Sequence, residues 1–165
     1  MPARKKASRR KSAKRRGAAR SADAIALLRA DHAKVQDLFS QFEKARADDR
    51  KRLLAQRICA ELTVHTTIEE EIFYPAVREV LDDEDLLDEA AVEHASAKEL
   101  ISQIQAGSPE DDKWDAKVTV LGEYVKHHVK EEQNEMFPKL RKTKLDLRLI
   151  GDQLRARKQQ LPPAE

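Results

Sequence analysis

Six polar side chains of this sequence have the residue types of a metal site. They interrupt apolar helical patterns and comprise four of the five histidines and two glutamates, namely His32, His65, Glu69, His94, His128 and Glu132. Neutral imidazole and carboxylate are good ligands for iron, manganese and zinc. A buried carboxylate without a partner is costly, and two facing carboxylates repel each other or take up protons. Bound cations would compensate both charges.

The spacing of these residues supports the same chemistry. Glu69 follows His65 by four positions and Glu132 follows His128 by four, which places each pair on one helix face, about 6 Å apart along the axis. A single pair of this kind is more often a surface contact, and a lone histidine on an apolar face is more often an ordinary core residue. The metal prediction therefore depends on the six residues occurring together.

An internal repeat joins them. The apolar pattern around His32 recurs 62 residues later around His94, and the pattern around His65 recurs 63 residues later around His128. Each copy supplies one histidine from its first helix and a His-x-x-x-Glu pair from its second. The chain from residue 21 onward is thus interpreted as two copies of one helical hairpin.

The first hairpin is predicted from steps of three and four between apolar residues. Its first helix runs from about Ser21 to Ala47, and its second begins near Asp49. The stripe of the second helix is Ile58, Leu62, His65, Glu69, Ile72 and Ala76. We expect this helix to kink at Pro75, because proline removes a backbone donor and clashes with the preceding turn.

In the second hairpin, several residues mark where the helices start and end. Gly107 is predicted to end the third helix as its C′ residue. Residues 108–111, Ser-Pro-Glu-Asp, have the pattern of a helix start, and Pro138 is predicted to close the fourth helix. A fifth helical segment from about Lys144 to Gln160 offers three apolar residues for packing on the other helices: Leu147, Ile150 and Leu154.

These hairpins can bury their matched apolar faces only against each other, and short links favour antiparallel neighbours. The sequence therefore predicts an all-α, up-down-up-down four-helix bundle with an extra C-terminal helix, spanning residues 21–161. The content of 38% charged and 4% aromatic residues is typical of long helices. In such a bundle the six polar side chains converge on one layer.

Residues 1–20 differ from the bundle in charge. They contain ten Lys or Arg and no acid, whereas the rest of the chain carries 22 basic and 30 acidic residues. We expect a disordered basic arm. It is either a solubilising tail or, as an alternative function of the protein, a non-specific ligand for DNA or another polyanion, with the bundle as a regulatory body. The candidate contacts are Lys5, Lys6, Arg9, Arg10, Lys11, Lys14, Arg15 and Arg16.

Other features restrict the class of protein. Cys59 is the only cysteine, which excludes a disulfide within the chain, and no run reaches the roughly 18 apolar residues of a membrane span. The start lacks the apolar segment of a secretory signal, so we expect a cytoplasmic protein, with an organellar transit peptide as the other interpretation. No motif identifies a catalytic reaction, and nothing in the sequence indicates the oligomeric state.

Several polar residues adjoin the six candidate ligands in the sequence, and each is expected either near the site or away from it. His127 and Glu131 form a second pair one residue out of phase, but the repeat favours His128 and Glu132. His127 is then expected at a helix seam, behind the ligands or on the surface. Tyr74 either approaches the site or packs in the core, and we favour packing. The adjacent glutamates could accept hydrogen bonds behind the ligands, but most of them are expected on solvated faces: Glu70, Glu71, Glu131 and Glu135.

These motifs resemble the hemerythrin HHE cation-binding family over roughly residues 22–160. The matching elements are Asp31-His32, the block His-Thr-Thr-Ile-Glu-Glu-Glu-Ile-Phe-Tyr-Pro at 65–75, Glu93-His94, and the block from His128 to Pro138. The resemblance implies a non-haem di-iron site with bridging carboxylates. Manganese and zinc are compatible with the same ligands.

Two positions depart from the oxygen-carrying members. These carry a fifth histidine one turn after the position of His94, where this chain has Lys98, and an aspartate five residues after the fourth-helix histidine, where this chain has Glu132 at four. Both departures resemble the four-His, two-Glu sites of HHE proteins linked to iron sensing, nitric-oxide stress and iron-centre repair. The resemblance thus implies sensing of, or response to, oxygen, nitric oxide or oxidative stress, or iron handling.

Overall fold

The computed structural model describes residues 21–162, and within this range the chain forms five helices and no strand. Helix α1 is Ala24–Lys44, α3 is Glu84–Ala106 and α5 is Leu147–Gln160. Helix α2 consists of Asp48–Ile68, a π-helical turn at Glu69–Phe73, and Tyr74–Val80. Helix α4 consists of Trp114–Glu131, a π-helical turn at Glu132–Met136, and Phe137–Leu140. The basic arm predicted for residues 1–20 lies outside the described residues.

Aspartates set the starts of three helices. Asp23, Asp83 and Asp146 precede α1, α3 and α5, and each carboxylate accepts a hydrogen bond from a backbone N–H of the first turn. Such caps satisfy donors that have no partner within the helix. Short links at 45–47 and 81–83 then return the chain, so α1 to α4 form the predicted antiparallel bundle.

Two apolar clusters lie on either side of the polar layer. One contains Phe42, Ile58 and Trp114, and the other contains Leu28 and Phe73. His32 lies four positions after Leu28 of the second cluster and three positions before Val35 of the first. The imidazole layer is therefore enclosed along the bundle axis by apolar side chains.

Helix α5 packs as predicted. Ile150 and Leu154 are buried, and the helix contacts α1 and the π-helical turn of α2. Gly151 allows the close approach, because a Cβ there would lie 2.8 Å from the backbone nitrogen of Ala24. The Arg157 guanidinium also pairs with the Glu71 carboxylate across this contact, at 2.6 Å.

A π-helical turn precedes Pro75, the residue at which the sequence predicted a kink. The N–H of Tyr74 donates to the carbonyl of Glu69, five residues back, so the turn contains one residue more than an α-helical turn. The apolar face is shifted accordingly. Phe73 and Val77 are buried, whereas the predicted Ile72 and Ala76 are only half-buried.

The matched proline behaves in the same way. A π-helical turn at Glu132–Met136 precedes Pro138, and the helix continues to Leu140. The prediction that Pro138 closes α4 was therefore wrong. The wider turn accommodates a proline that cannot donate to the preceding turn.

The predicted start of α4 was also wrong, since α4 begins at Trp114. The Asp111 N–H donates to the Ser108 carbonyl and the Ser108 N–H donates to the Asp111 carboxylate, which closes a turn. The indole of Trp114 is buried and donates to the Ile104 carbonyl, at 3.0 Å. Gly107 ends α3 in extended conformation. A Cβ there would lie 2.9 Å from the indole, so this position favours glycine.

Within the described range, no helix has the length and apolar character required to cross a membrane.

Candidate metal centre

The six predicted side chains meet in one buried layer of the bundle. Their exposed fractions run from 0% for Glu69 to 8% for His128. Each of the four bundle helices contributes: His32 from α1, His65 and Glu69 from α2, His94 from α3, and His128 and Glu132 from α4. Both glutamates begin a π-helical turn. The sequence-derived set is thus brought together without exception.

A first group of ligand atoms comprises Nε2 of His32, Nε2 of His65, Oε1 of Glu69 and Oε2 of Glu132. The His32 nitrogen lies 3.1 Å from the Glu132 oxygen, and the His65 nitrogen lies 3.1 Å from the Glu69 oxygen. All four atoms are buried without a hydrogen-bond partner, which is rare in folded proteins. Ligand atoms about 2.1 Å from one ion lie about 3 Å from each other, so this arrangement fits a shared cation.

A second group lies beside the first. Nε2 of His94 is 3.3 Å from Oε2 of Glu69 and 3.2 Å from Nε2 of His128. Glu69 therefore presents one oxygen to each group, as a bridging carboxylate would. Glu132 is less symmetric, since its Oε2 is 3.1 Å from His32 but 3.7 Å from His128 on its own helix.

Tyr74 belongs to this second group, so the preference for simple packing was wrong. Its phenol oxygen lies 2.8 Å from Oε1 of Glu132 and 3.3 Å from Nε2 of both His94 and His128. The sequence prediction for Tyr74 failed because of the π-helical turn that precedes it. With this turn, α-helical spacing from Glu69 does not predict the direction of the Tyr74 side chain.

Each imidazole has a partner on its other nitrogen. The Nδ1 atoms lie 2.7–3.4 Å from polar side chains, in the pairs His32–Gln133, His65–Asp31, His94–Glu70 and His128–Glu93. A carboxylate that accepts from Nδ1 fixes the ring and leaves Nε2 free to bind a metal. At His32 the amide nitrogen of Gln133 donates to Nδ1 instead. Glu70 is exposed, as expected for most of the adjacent glutamates, and it also has the alternative role of an acceptor behind the ligands. The sequence prediction missed the partners Asp31, Glu93 and Gln133. Their position in the sequence could have identified these partners, since each is the chain neighbour of a proposed ligand.

Two lysines pair with these partners. The Lys98 ammonium lies 2.5 Å from Glu70, and the Lys158 ammonium of α5 lies 2.6 Å from Asp31. Lys98, at the position of the additional histidine in oxygen carriers, is therefore directed to the half-exposed Glu70 rather than to the buried layer. The extra helix is likewise connected, through Asp31, to His65.

The charges of the layer are mutually stabilising. Burial by itself lowers the pKa of His65, but the Glu69 and Asp31 carboxylates outweigh it and raise the pKa to about 10. Burial likewise opposes protonation of His128, whose pKa is raised to about 9 by Glu132 and Glu93. Without a metal, protons on these imidazoles offset the carboxylate charge. Metal binding must displace them.

A small cavity adjoins the four imidazoles. Its volume is about 30 Å³, and its other walls are largely apolar, including Val35, Leu62, Ala97, Val125 and Val129. A site of this size holds one or two water-sized molecules. The layer therefore has room for a small exogenous ligand.

His127 lies outside this layer, with 64% of its side chain exposed. Its Nε2 atom is 3.1 Å from Oε1 of Glu131 and 3.4 Å from Oε1 of Glu93. The surface position is one of those expected from the sequence.

Two known proteins are similar to this chain. A curated relative from Nostoc sp. strain PCC 7120, described as a DNA nickase, is 31% identical over 115 residues, which are 70% of this chain and 32% of that protein. The chain thus spans about a third of that relative's length. A crystal structure of a hemerythrin HHE cation binding domain-containing protein from Mycobacterium kansasii matches with a TM-score of 0.72 and 21% identity, covering 84% of this chain and 86% of the other.

The family comparison covers most of the bundle. The model of the hemerythrin HHE cation binding domain matches residues 23–140, a range that includes all six buried polar residues. The donor set, its burial and this match agree on metal binding. The chain belongs to the hemerythrin HHE cation-binding domain family.

Proposed function

We propose that the bundle binds two iron ions and uses them to sense, or respond to, oxygen, nitric oxide or oxidative stress. The proposed ligands are His32, His65, Glu69, His94, His128 and Glu132. The observation that carries the proposal is the set of four buried ligand atoms that face one another without hydrogen-bond partners. Iron bound there would supply redox chemistry and open coordination positions.

The surroundings of the proposed centre favour a small ligand over a large substrate. The adjoining cavity of about 30 Å³ has no room for an organic substrate. Its apolar walls suit a neutral diatomic molecule, and Tyr74 supplies a hydroxyl at one end of the layer. The apolar walls exclude bulk water from the layer. They also limit access to the proposed metals to small molecules.

Anaerobic loading with ferrous iron tests the proposal. We expect at least two irons per chain by mass spectrometry, and a near-ultraviolet charge-transfer band after exposure to air or nitric oxide. The matched variant Glu69→Gln removes the carboxylate that faces both ligand groups, and it should lower the iron content. A wild-type chain that binds no iron, or binds it without any spectral response to either gas, would contradict the proposal.

The same experiment separates sensing from iron handling. A sensor should retain its iron against a moderate chelator while its spectrum responds to the gas. A protein that supplies iron should instead release both ions to the chelator within minutes of oxidation or reduction. Manganese and zinc loading, followed in parallel, identifies the metal that the site prefers.

A second candidate function is DNA binding. It is supported by the relative described as a DNA nickase, and by the ten basic residues within residues 1–20. Neutralising several phosphates would make the affinity fall steeply with salt. In this function the metal-binding bundle would be the regulatory body.

The full-length chain tests this candidate without truncation. We compare the wild type with a variant in which eight basic residues become glutamine: Lys5, Lys6, Arg9, Arg10, Lys11, Lys14, Arg15 and Arg16. Gel shifts at two salt concentrations should show loss of binding and of the salt slope in the variant, and supercoiled plasmid reveals any nicking. Equal affinity of both proteins for DNA would exclude the arm as the contact.

A further inference from the structure

A second set of metal-binding side chains lies on the surface between α3 and α4. Glu93 comes from α3, and His127 and Glu131 come from α4. The pair of His127 and Glu131 repeats the His-x-x-x-Glu spacing of the buried centre one residue out of phase. The residues proposed to bind the iron pair do not include this second set.

The geometry of the surface set resembles a coordination site. Nε2 of His127 lies 3.1 Å from Oε1 of Glu131 and 3.4 Å from Oε1 of Glu93. These separations are close to the roughly 3 Å expected between ligands of one ion at about 2.1 Å. A third ligand from the neighbouring helix distinguishes this cluster from an ordinary surface pair on one helix.

The surroundings concentrate cations at this set. It lies in an open depression that is lined by further acidic residues of α3, Asp85, Asp88 and Glu89. A surface lined by one sign of charge raises the local concentration of the opposite ion. None of the residues that line this depression is a lysine or an arginine, and of its three further acids Asp88 pairs with Arg78 outside it, at 3.4 Å.

Glu93 connects the surface set to the buried layer. Its Oε1 atom faces His127, while its Oε2 atom accepts a hydrogen bond from Nδ1 of His128, at 2.7 Å. Two neighbouring histidines thus share one carboxylate, one on each side of it. A cation held at the surface is one side chain away from the second group of buried ligand atoms.

We propose that Glu93, His127 and Glu131 form a third divalent-cation site, from which the buried centre is loaded. The site would take a borderline cation such as Fe²⁺, Co²⁺ or Zn²⁺, with water completing its coordination. The loading step rests on the proposed function of the buried centre, whereas the existence of the surface site does not.

Counting bound ions in the full-length chain tests the site. We titrate metal-free protein with Zn²⁺ and count ions by native mass spectrometry, expecting three in the wild type and two in His127→Ala and Glu131→Gln. The matched control is Glu89→Gln, which removes the same charge from the same depression and should retain three ions. A wild type that binds no more ions than His127→Ala and Glu131→Gln would overturn the proposal.

Loading kinetics test delivery separately. Co²⁺ is mixed with metal-free protein, and its visible absorption in the buried centre is followed by stopped flow. We expect His127→Ala to load at least about fivefold more slowly than Glu89→Gln, with the same final absorption. Equal rates would overturn delivery. A chain that binds only the surface ion would instead contradict the proposed function and leave the surface site standing.

Discussion

The phenol of Tyr74 donates a hydrogen bond of 2.8 Å to Oε1 of Glu132. The repeat places Phe137 at the matched position of the other half, where its ring stacks on His32 with 6.0 Å between the ring centroids and an interplanar angle of 4°. One half of the buried layer thus has a hydroxyl where the other half has only an aromatic ring. The two proposed metal positions are consequently unequal, although the sequence repeat relates them.

Substituting Tyr74 by phenylalanine should affect one metal position more than the other. The ring would be retained, but Glu132 would lose the donor that orients its Oε1 atom. Loss of such an orienting contact typically weakens metal binding by about 10–100-fold. We expect a titration monitored by calorimetry to show one weakened ion and one unchanged ion. The control is Tyr124→Phe, at a tyrosine that is 46% exposed; equal weakening of both ions would contradict the asymmetry.

The adjacent histidines of α4 provide a matched pair of variants. His128→Ala removes a buried ligand atom of the second group and should reduce the buried ions from two to one. His127→Ala leaves the buried layer intact, so the two buried ions should remain. The visible absorption of Co²⁺ in the buried centre, compared between the two loaded variants, decides the point. The opposite result would mean that His127 and Glu131 are the working pair.

The stability of the metal-free protein should depend on pH through His65. Its pKa is raised from 6.5 to about 10, so the fold favours the protonated imidazole. The resulting stabilisation is complete below pH 6.5 and is lost as the pH rises towards 10. We expect the free energy of unfolding, measured with urea, to fall between pH 7 and pH 10. In His65→Gln this fall should be smaller, and an identical slope would refute the assignment.

Metal loading at pH 7 should release protons. His65 and His128, with pKa values of about 10 and about 9, are both protonated in the metal-free chain at this pH. A bound cation requires the neutral imidazole, so both protons must leave. Calorimetry of Zn²⁺ binding in buffers of different ionisation enthalpy measures their number. Heats that are independent of the buffer would show that no proton is displaced.

Cys59 should be chemically inert in the folded protein. Burial raises the pKa of its thiol from 9.0 to about 12, which leaves roughly 1,000-fold less thiolate at pH 8. We expect alkylation by iodoacetamide to be slower by a similar factor than in protein unfolded by guanidinium. Mass spectrometry of timed samples follows the reaction. Rapid labelling of the native chain would indicate that α2 opens easily.

The packing of α5 can be tested with two helical glycines. Gly151→Ala places a methyl group 2.8 Å from the Ala24 nitrogen, which is backbone and cannot rotate away, so we expect a loss of about 1–3 kcal/mol. Gly122→Ala meets only the ring of Phe39, at 3.1 Å. Since alanine favours helix by about 1 kcal/mol over glycine, this control should stay within about 1 kcal/mol of the wild type. Urea unfolding compares the two variants, and equal stabilities would show that α5 tolerates displacement.

Much of the fold was predictable because helical periodicity is local. The stripes around His32 and His94 need only the 3.6-residue repeat and the burial of apolar side chains. The six buried polar residues were predictable for the same reason, since they interrupt those stripes at matched points of a repeat. Local patterns failed where a tertiary contact decided the backbone. The fourth helix begins at Trp114, whose indole is buried, and not at the predicted residues 108–111. The π-helical turn before Pro75 shifts the apolar face by one residue relative to the predicted stripe.

The sequence by itself determined the helices, their pairing and the identity of the six converging side chains. Only the tertiary structure decided how these side chains are held: that Asp31, Glu70, Glu93 and Gln133 orient the imidazoles, and that Tyr74 points into the layer. The physical reason is the range of the interactions. Periodicity acts between neighbours on one helix, whereas three of these orienting contacts join side chains that are 34 to 101 residues apart, and these pairs meet only when the helices pack.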